Sequence, residues 1–350
     1  MSAVGPECWR RPPGHRALIY LDQSTTSDLA RGNLLRLREL LKKGLAADRL
    51  ICPSSDATDD ETQLARPETR EAIDNVADLN SAGVHFLEMR LTEWHEIEAA
   101  AEAFLGKAPS ERELWREAFR TNPQAPREEL FPGGFRVSVK IPQQEWEVAE
   151  VEHERSKEDK LNAAYEVARA AGRTFEEQAR LEQEAMLKWK LGALLDPDSF
   201  NARLERLSRE AGMEMMLGVN ATLAPGSAYA RYSAVDLVHT DNEALLARHP
   251  ELLERIRDFG DYLLTGAVPA LRLPALLRAG IGVTPGRRAR SSDGYDVLHL
   301  TRGLSRCDIV TADSGMSQLC RDFRLVPPGC SLYGAREVPQ LEAHLEALLT

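Results

Sequence analysis

The residues best placed to do chemistry are acids that follow short apolar runs. Ala17-Leu-Ile-Tyr-Leu-Asp22 is apolar up to its final carboxylate, and Cys307-Asp-Ile-Val-Thr-Ala-Asp313 also ends on one. Runs of this kind read as strands buried on both faces of a parallel sheet. Asp22 and Asp313 are then expected just past strand carboxyl ends. Two further acids are expected near helix starts: Glu61, after the polar stretch Ser54–Asp60, and Asp296, in the helix before Asp313. Ligands of open parallel sheets bind outside the strand carboxyl ends, near the switch in strand order. All four acids can face one such crevice. Crowded carboxylates are costly unless a cation neutralises them. Oxygen ligands with no His or Cys nearby favour Mg²⁺ or Mn²⁺ over zinc.

The elements that must hold these acids alternate at both ends of the chain. A strand over 17–22 is followed by a helix through Lys43 with Leu29, Leu34, Leu37, Leu40 and Leu41 on one face. Arg49–Cys52 reads as a second strand closed by Pro53. A helical stretch opens at Glu61, and Gly83–Leu87 reads as a third strand. From about Leu91 to Leu277 the pattern is helical, with breaks at Gly172–Thr174, Pro197 and Pro250, and Met213–Leu217 is expected to pack in a core. Strand and helix alternate again after the loop 280–290: a helix over 293–304, a strand over 308–311, a helix over 314–323, a strand over 329–333 and a helix over 338–349. The expected fold is therefore α/β, a doubly wound parallel sheet with a large α-helical insertion. Residues 1–15 form a flexible tail, 16–92 and 280–350 a discontinuous α/β domain, and 93–279 the insertion.

Composition narrows the options. At 350 residues, 43% hydrophobic and 28% charged, the chain suits a globular protein with one large core or two ordinary ones. No apolar run approaches the roughly 20 residues that span a bilayer, and the Pro- and Arg-rich start lacks a secretory h-region. The expectation is a cytoplasmic protein without a membrane partner. Five scattered cysteines with no C-x-x-C pair suggest neither zinc nor disulfides. Cys52 and Cys307 read as small buried hydrophobes. A net charge of −11 argues against a broad basic face for duplex nucleic acid. It leaves room for a local one, and Arg287, Arg288 and Arg290 concentrate charge in the loop before Asp293 as candidate phosphate contacts.

The segments Tyr20-Leu-Asp22, Cys52-Pro-Ser-Ser-Asp-Ala-Thr-Asp-Asp-Glu61, Asp296-Val-Leu-His-Leu and Cys307-Asp-Ile-Val-Thr-Ala-Asp313 together resemble the PIN-like nuclease family. The likeness covers under half of the chain, in short and degenerate pieces whose order agrees with the family. It implies a PIN-like sheet, Asp22, Glu61, Asp296 and Asp313 as catalytic metal ligands, and endoribonuclease activity on single-stranded RNA with Mg²⁺ or Mn²⁺. Glu61 is preferred to Asp59 and Asp60 because the family has a Glu in that context. Asp60, Asp293 and Thr311 are possible accessories.

Simpler readings stand beside these. Any single acid here could be a helix cap meeting the helix dipole; four in family order argue for a site. Asp308 reads as a surface or capping acid, and His299 as a packing or hydrogen-bonding residue. A catalytically inactive PIN-like scaffold, docking protein or RNA partly through its acidic helical insertion, is the main alternative. A phosphatase is weaker, because no second acid follows two residues after Asp22. No G-x-x-x-x-G-K-[ST] loop supports nucleotide hydrolysis.

Overall fold

The computed structural model describes residues 16–55, 57–58, 67–81, 83–107, 119–120, 143–217, 227–290 and 292–350. The expected tail 1–15 lies outside them. So do Asp59, Asp60 and Glu61.

Four short strands form a parallel sheet: β1 (Ala17–Tyr20), β2 (Leu50–Ile51), β5 (Ile309–Ala312) and β6 (Ser331–Gly334), in the order β2-β1-β5-β6. Side chains alternate across it, as the period of two requires. Ile19, Leu21, Leu50 and Ile309 face one core with α1 (Gln23–Ala30), α2 (Leu35–Ala46) and the closing helix α14 (Val338–Leu349). Leu18, Tyr20, Ile51, Val310 and Ala312 face another, filled by α11 (Pro269–Val283), α12 (Asp293–Arg306) and α13 (Ser314–Asp322). Cys52 and Cys307 are buried in these layers.

Most of the other described residues are helical: α3 (Pro67–Ser81), α4 (Met89–Phe104), α5 (Gln143–Ala170), α6 (Phe175–Lys190), α7 (Gly192–Leu195), α8 (Pro197–Leu217), α9 (Ala228–Arg248) and α10 (Ile256–Tyr262). Two core clusters are purely helical, one around Ile97, Leu191, Leu252 and Phe259, the other around Phe200, Leu207 and Val235. The expected doubly wound α/β fold is therefore corrected. The molecule is helix-dominated, and its sheet is a minor element of two- to four-residue strands.

The expected third strand also leaves the sheet. β3 (His85–Phe86) pairs antiparallel with β4 (Phe119–Arg120) and meets the β2 segment only through an isolated bridge between Ser54 and His85. Ser54 donates to the Val84 carbonyl at 3.2 Å and accepts the Phe86 N–H at 2.8 Å, but the next N–H on that side, Cys52, goes to the Asn80 carbonyl at 3.1 Å, so the ladder does not extend back along β2.

Local signals account for several boundaries. The single helix expected through Lys43 is two helices, because Gly32 turns the chain with φ +76° after α1. Thr174 opens α6 with a capping box to Glu177. Met213 and Met216, expected in a core, are 60% and 88% exposed on α8. A buried ion pair between Glu96 of α4 and Arg306 of α12 links the helical layers to the sheet; the other Glu96 oxygen accepts the Ala270 N–H at 2.7 Å. Among the described residues, no single helix is long and apolar enough to cross a membrane.

Candidate functional site at the sheet edge

β1 connects to β2 on one side of the sheet and β5 to β6 on the other, so strand order switches between β1 and β5. That is where a parallel sheet opens a crevice at its carboxyl ends. Tyr20 is level with Val310 across the pair. Asp22 and Asp313 therefore leave the sheet at neighbouring strand ends.

Each acid caps the helix that follows. The Asp22 carboxylate accepts the Thr25 N–H at 3.2 Å and the Asp313 carboxylate the Met316 N–H at 2.7 Å. Both carboxylates thus satisfy an orphan amide at the positive end of a helix. Asp22 is held by more than its cap. Its other oxygen accepts the Ser24 hydroxyl at 2.6 Å, and Thr311 donates to the capping oxygen at 2.8 Å. Thr311 Oγ1 in turn accepts the Asp22 N–H at 2.9 Å. Thr311 is an orienter of Asp22. The strand signal found Thr311, but its partner becomes visible only when β5 lies beside β1.

Behind the edge, the buried Tyr20 hydroxyl lies 2.7 Å from Ser55 Oγ and 2.6 Å from His299 Nδ1. Burial pushes its phenol up to about 12, so the ring is neutral at ordinary pH. His299 is the hydrogen-bonding core residue that its helical position suggests. Asp308 accepts the Leu18 N–H at 2.8 Å at the opposite end of the sheet, where it ties the start of β5 to β1 and caps no helix.

The remaining candidates have other surroundings. Asp293 is buried in the first turn of α12, where its carboxylate accepts from Arg287 Nη2 at 2.9 Å and from the Arg290 N–H at 3.0 Å. It anchors the arginine loop. Arg287 continues to Met316 Sδ at 3.1 Å. A Cβ built on Gly315 would lie 3.2 Å from Asp313 Oδ1 and 3.6 Å from Arg287 Nη1. A cation and a carboxylate thus flank the first turn of α13. Arg288 and Arg290 are exposed, and Asp296 is half-buried on α12.

Among the described residues, no three His, Cys, Asp or Glu side chains gather so as to hold a metal ion. Asp22 and Asp313 offer suitable hard oxygens, but both Asp22 oxygens already accept protein hydrogen bonds. Asp22 and Asp313 alone therefore supply too few ligands to complete a Mg²⁺ or Mn²⁺ centre, which would need further oxygens. Comparison with protein-family models, curated proteins and solved structures returned no match.

Proposed function

We propose that the chain is a ribonuclease acting on single-stranded RNA at this sheet edge, in the cytoplasm, with Asp22 and Asp313 as its central acids. The observation that carries the reading is their placement at neighbouring strand ends, on the switch point of a parallel sheet. The PIN-like resemblance of the same segments supplies the phosphodiester chemistry. Asp22, fixed by Ser24, Thr25 and Thr311, presents a carboxylate of set orientation that can position a water molecule. Asp313 uses one oxygen for its cap, and in this reading the other acts on the substrate. Arg287, beside Asp313, supplies positive charge for a phosphate. Cleavage is expected to depend on Mg²⁺ or Mn²⁺, with Glu61, Asp296 or the RNA providing ligands beyond the two edge acids.

A non-catalytic scaffold for RNA or for a protein docked on the helical region is the competing reading. The hydrogen bonds that occupy both Asp22 oxygens favour it. Incubating the purified chain with end-labelled single-stranded RNA and Mn²⁺ separates the two. Cleavage that EDTA, Asp22→Asn and Asp313→Asn each abolish supports the nuclease. Absence of cleavage, or equal cleavage by both variants, rejects this active site.

A further inference from the structure

A cavity of about 550 Å³ opens between α5, α11 and the first turns of α12. This is within the ~300–1,000 Å³ of small-molecule sites. Its floor is apolar, formed by Tyr165, Ile281, Ala289 and Val297. Tyr165 is packed hard against α11: a Cβ on Gly282 would lie 2.8 Å from its Cδ1, so glycine is what lets the ring seat there.

The walls are tied together by polar clamps. Asn162 of α5 both accepts the Ala289 N–H at 2.7 Å and donates to the Ala289 carbonyl at 3.2 Å. Arg169, about two turns further along the same face of α5, donates to the carbonyls of Ile281 and Arg287. These bonds tie α5 to the segment from Ile281 to Ala289 that forms the opposite wall.

Its charge runs against that of the chain. Lys157, Lys160, Arg278 and Arg290 line it, against the acids Glu158 and Asp293, in a protein of net charge −11. Asp293 is already ion-paired with Arg287 at 2.9 Å. Tyr295 adds a second, half-exposed aromatic ring at the wall. An apolar floor with aromatic rings and a cationic rim matches a planar base joined to a phosphate. The cavity also adjoins the sheet edge through one ion pair: Asp293 lines it, and Arg287, bound to Asp293, reaches Met316 three residues beyond Asp313.

We propose that this cavity holds one nucleotide of a single-stranded RNA, its base against the apolar floor and Tyr295 and its phosphate against Lys160, Arg278 and Arg290. The choice of RNA rests on the ribonuclease reading. From the cavity, the Asp293–Arg287 pair leads to Met316 on the helix that Asp313 caps, which gives the strand a direction toward the edge acids.

The test is fluorescence anisotropy of a 5′-fluorescein ten-nucleotide oligo(rA) with the full chain in EDTA, where cleavage is suppressed. The double variant Arg278→Gln/Arg290→Gln is expected to raise Kd about tenfold or more and to flatten the salt dependence by about 1.4 in log–log slope, two phosphate contacts at ~0.7 each. Tyr295→Ala is expected to raise Kd at least about fivefold through lost stacking. Arg278 and Arg290 are exposed, so an unchanged Tm is expected; Lys160→Gln probes the same rim from α5 should the arginine pair lower Tm. Equal binding by the rim and Tyr295 variants overturns the assignment, as does an unaltered chain that binds adenosine monophosphate but not the ten-mer, or neither. Manganese-dependent cleavage lost in Asp22→Asn keeps the ribonuclease reading alive even then, so the two failures are distinguishable.

Discussion

Thr311 and Asp22 exchange two hydrogen bonds across the junction of β1 and β5. The Thr311 hydroxyl donates to the Asp22 carboxylate at 2.8 Å and accepts the Asp22 backbone N–H at 2.9 Å. One hydroxyl thus fixes both the backbone and the side chain of the central acid, from a strand 289 residues away. Thr311→Val keeps the shape but strands a buried N–H, at a cost of about 1–3 kcal/mol. It is expected to lower any cleavage rate well below that of Thr311→Ser, which retains the hydroxyl. Denaturant unfolding and single-turnover cleavage of the two variants measure this.

The capping and chemical roles of Asp22 and Asp313 can be separated by choice of substitution. Asn caps a helix about as well as Asp, whereas Ala loses the cap at about 1 kcal/mol. Asp22→Asn and Asp313→Asn are therefore expected to unfold near the midpoint of the unaltered chain yet lose cleavage. The Ala variants should lose both. An Asn variant with full activity would show that the acid is only a cap.

Tyr20 carries a pH dependence of known sign. Burial raises its folded-state pKa from 10.0 to about 12, so between those values the folded chain keeps a proton that the unfolded chain has lost. Stability should be unaffected by this group below pH 10 and fall as pH rises from 10 to 12, by up to about 3 kcal/mol at 1.36 per unit. Tyr20→Phe is expected to flatten that fall. At pH 7 it should cost about 1–3 kcal/mol, since Ser55 and His299 lose a buried partner. Urea unfolding at pH 7, 10, 11 and 12 gives the comparison.

Gly303 sits in the middle of α12, where Ala would ordinarily stabilise a helix by about 1 kcal/mol. Here a Cβ would lie 2.8 Å from Val310 Cγ1 and 3.2 Å from Tyr20 Cδ1, on the face packed against the sheet. Gly303→Ala is therefore expected to destabilise by about 1–3 kcal/mol through overpacking. A Tm at or above that of the unaltered chain would mean that α12 does not lie this close to β1 and β5.

Local chemistry in the chain was enough to place many elements. The apolar runs ending at Asp22 and Asp313 become β1 and β5, and α12, α13 and α14 fall within two residues of the boundaries read from their periodicity and caps. Such features depend on neighbours a few residues apart: alternation, a capping acid, a Gly with positive φ. The balance between sheet and helix was not legible, because two-residue strands carry little pattern and the Cys52 N–H goes to Asn80 rather than into a ladder with β3. The edge was legible only in part. Its two strand-end acids come together because β1 pairs with β5, whereas Asp293 is drawn to Arg287 by an ion pair that spacing alone does not foretell.

The sequence by itself determined which acids stand at strand ends and helix starts, since burial pattern and capping act within one element. Tertiary structure alone decided that Asp22 and Asp313 leave neighbouring strand ends, that Thr311 orients the first of them, and that Tyr165, Arg278 and Tyr295 line one cavity. Those relationships join residues tens to hundreds of positions apart. They follow from strand order and helix packing, in which the whole chain competes for the same buried surface.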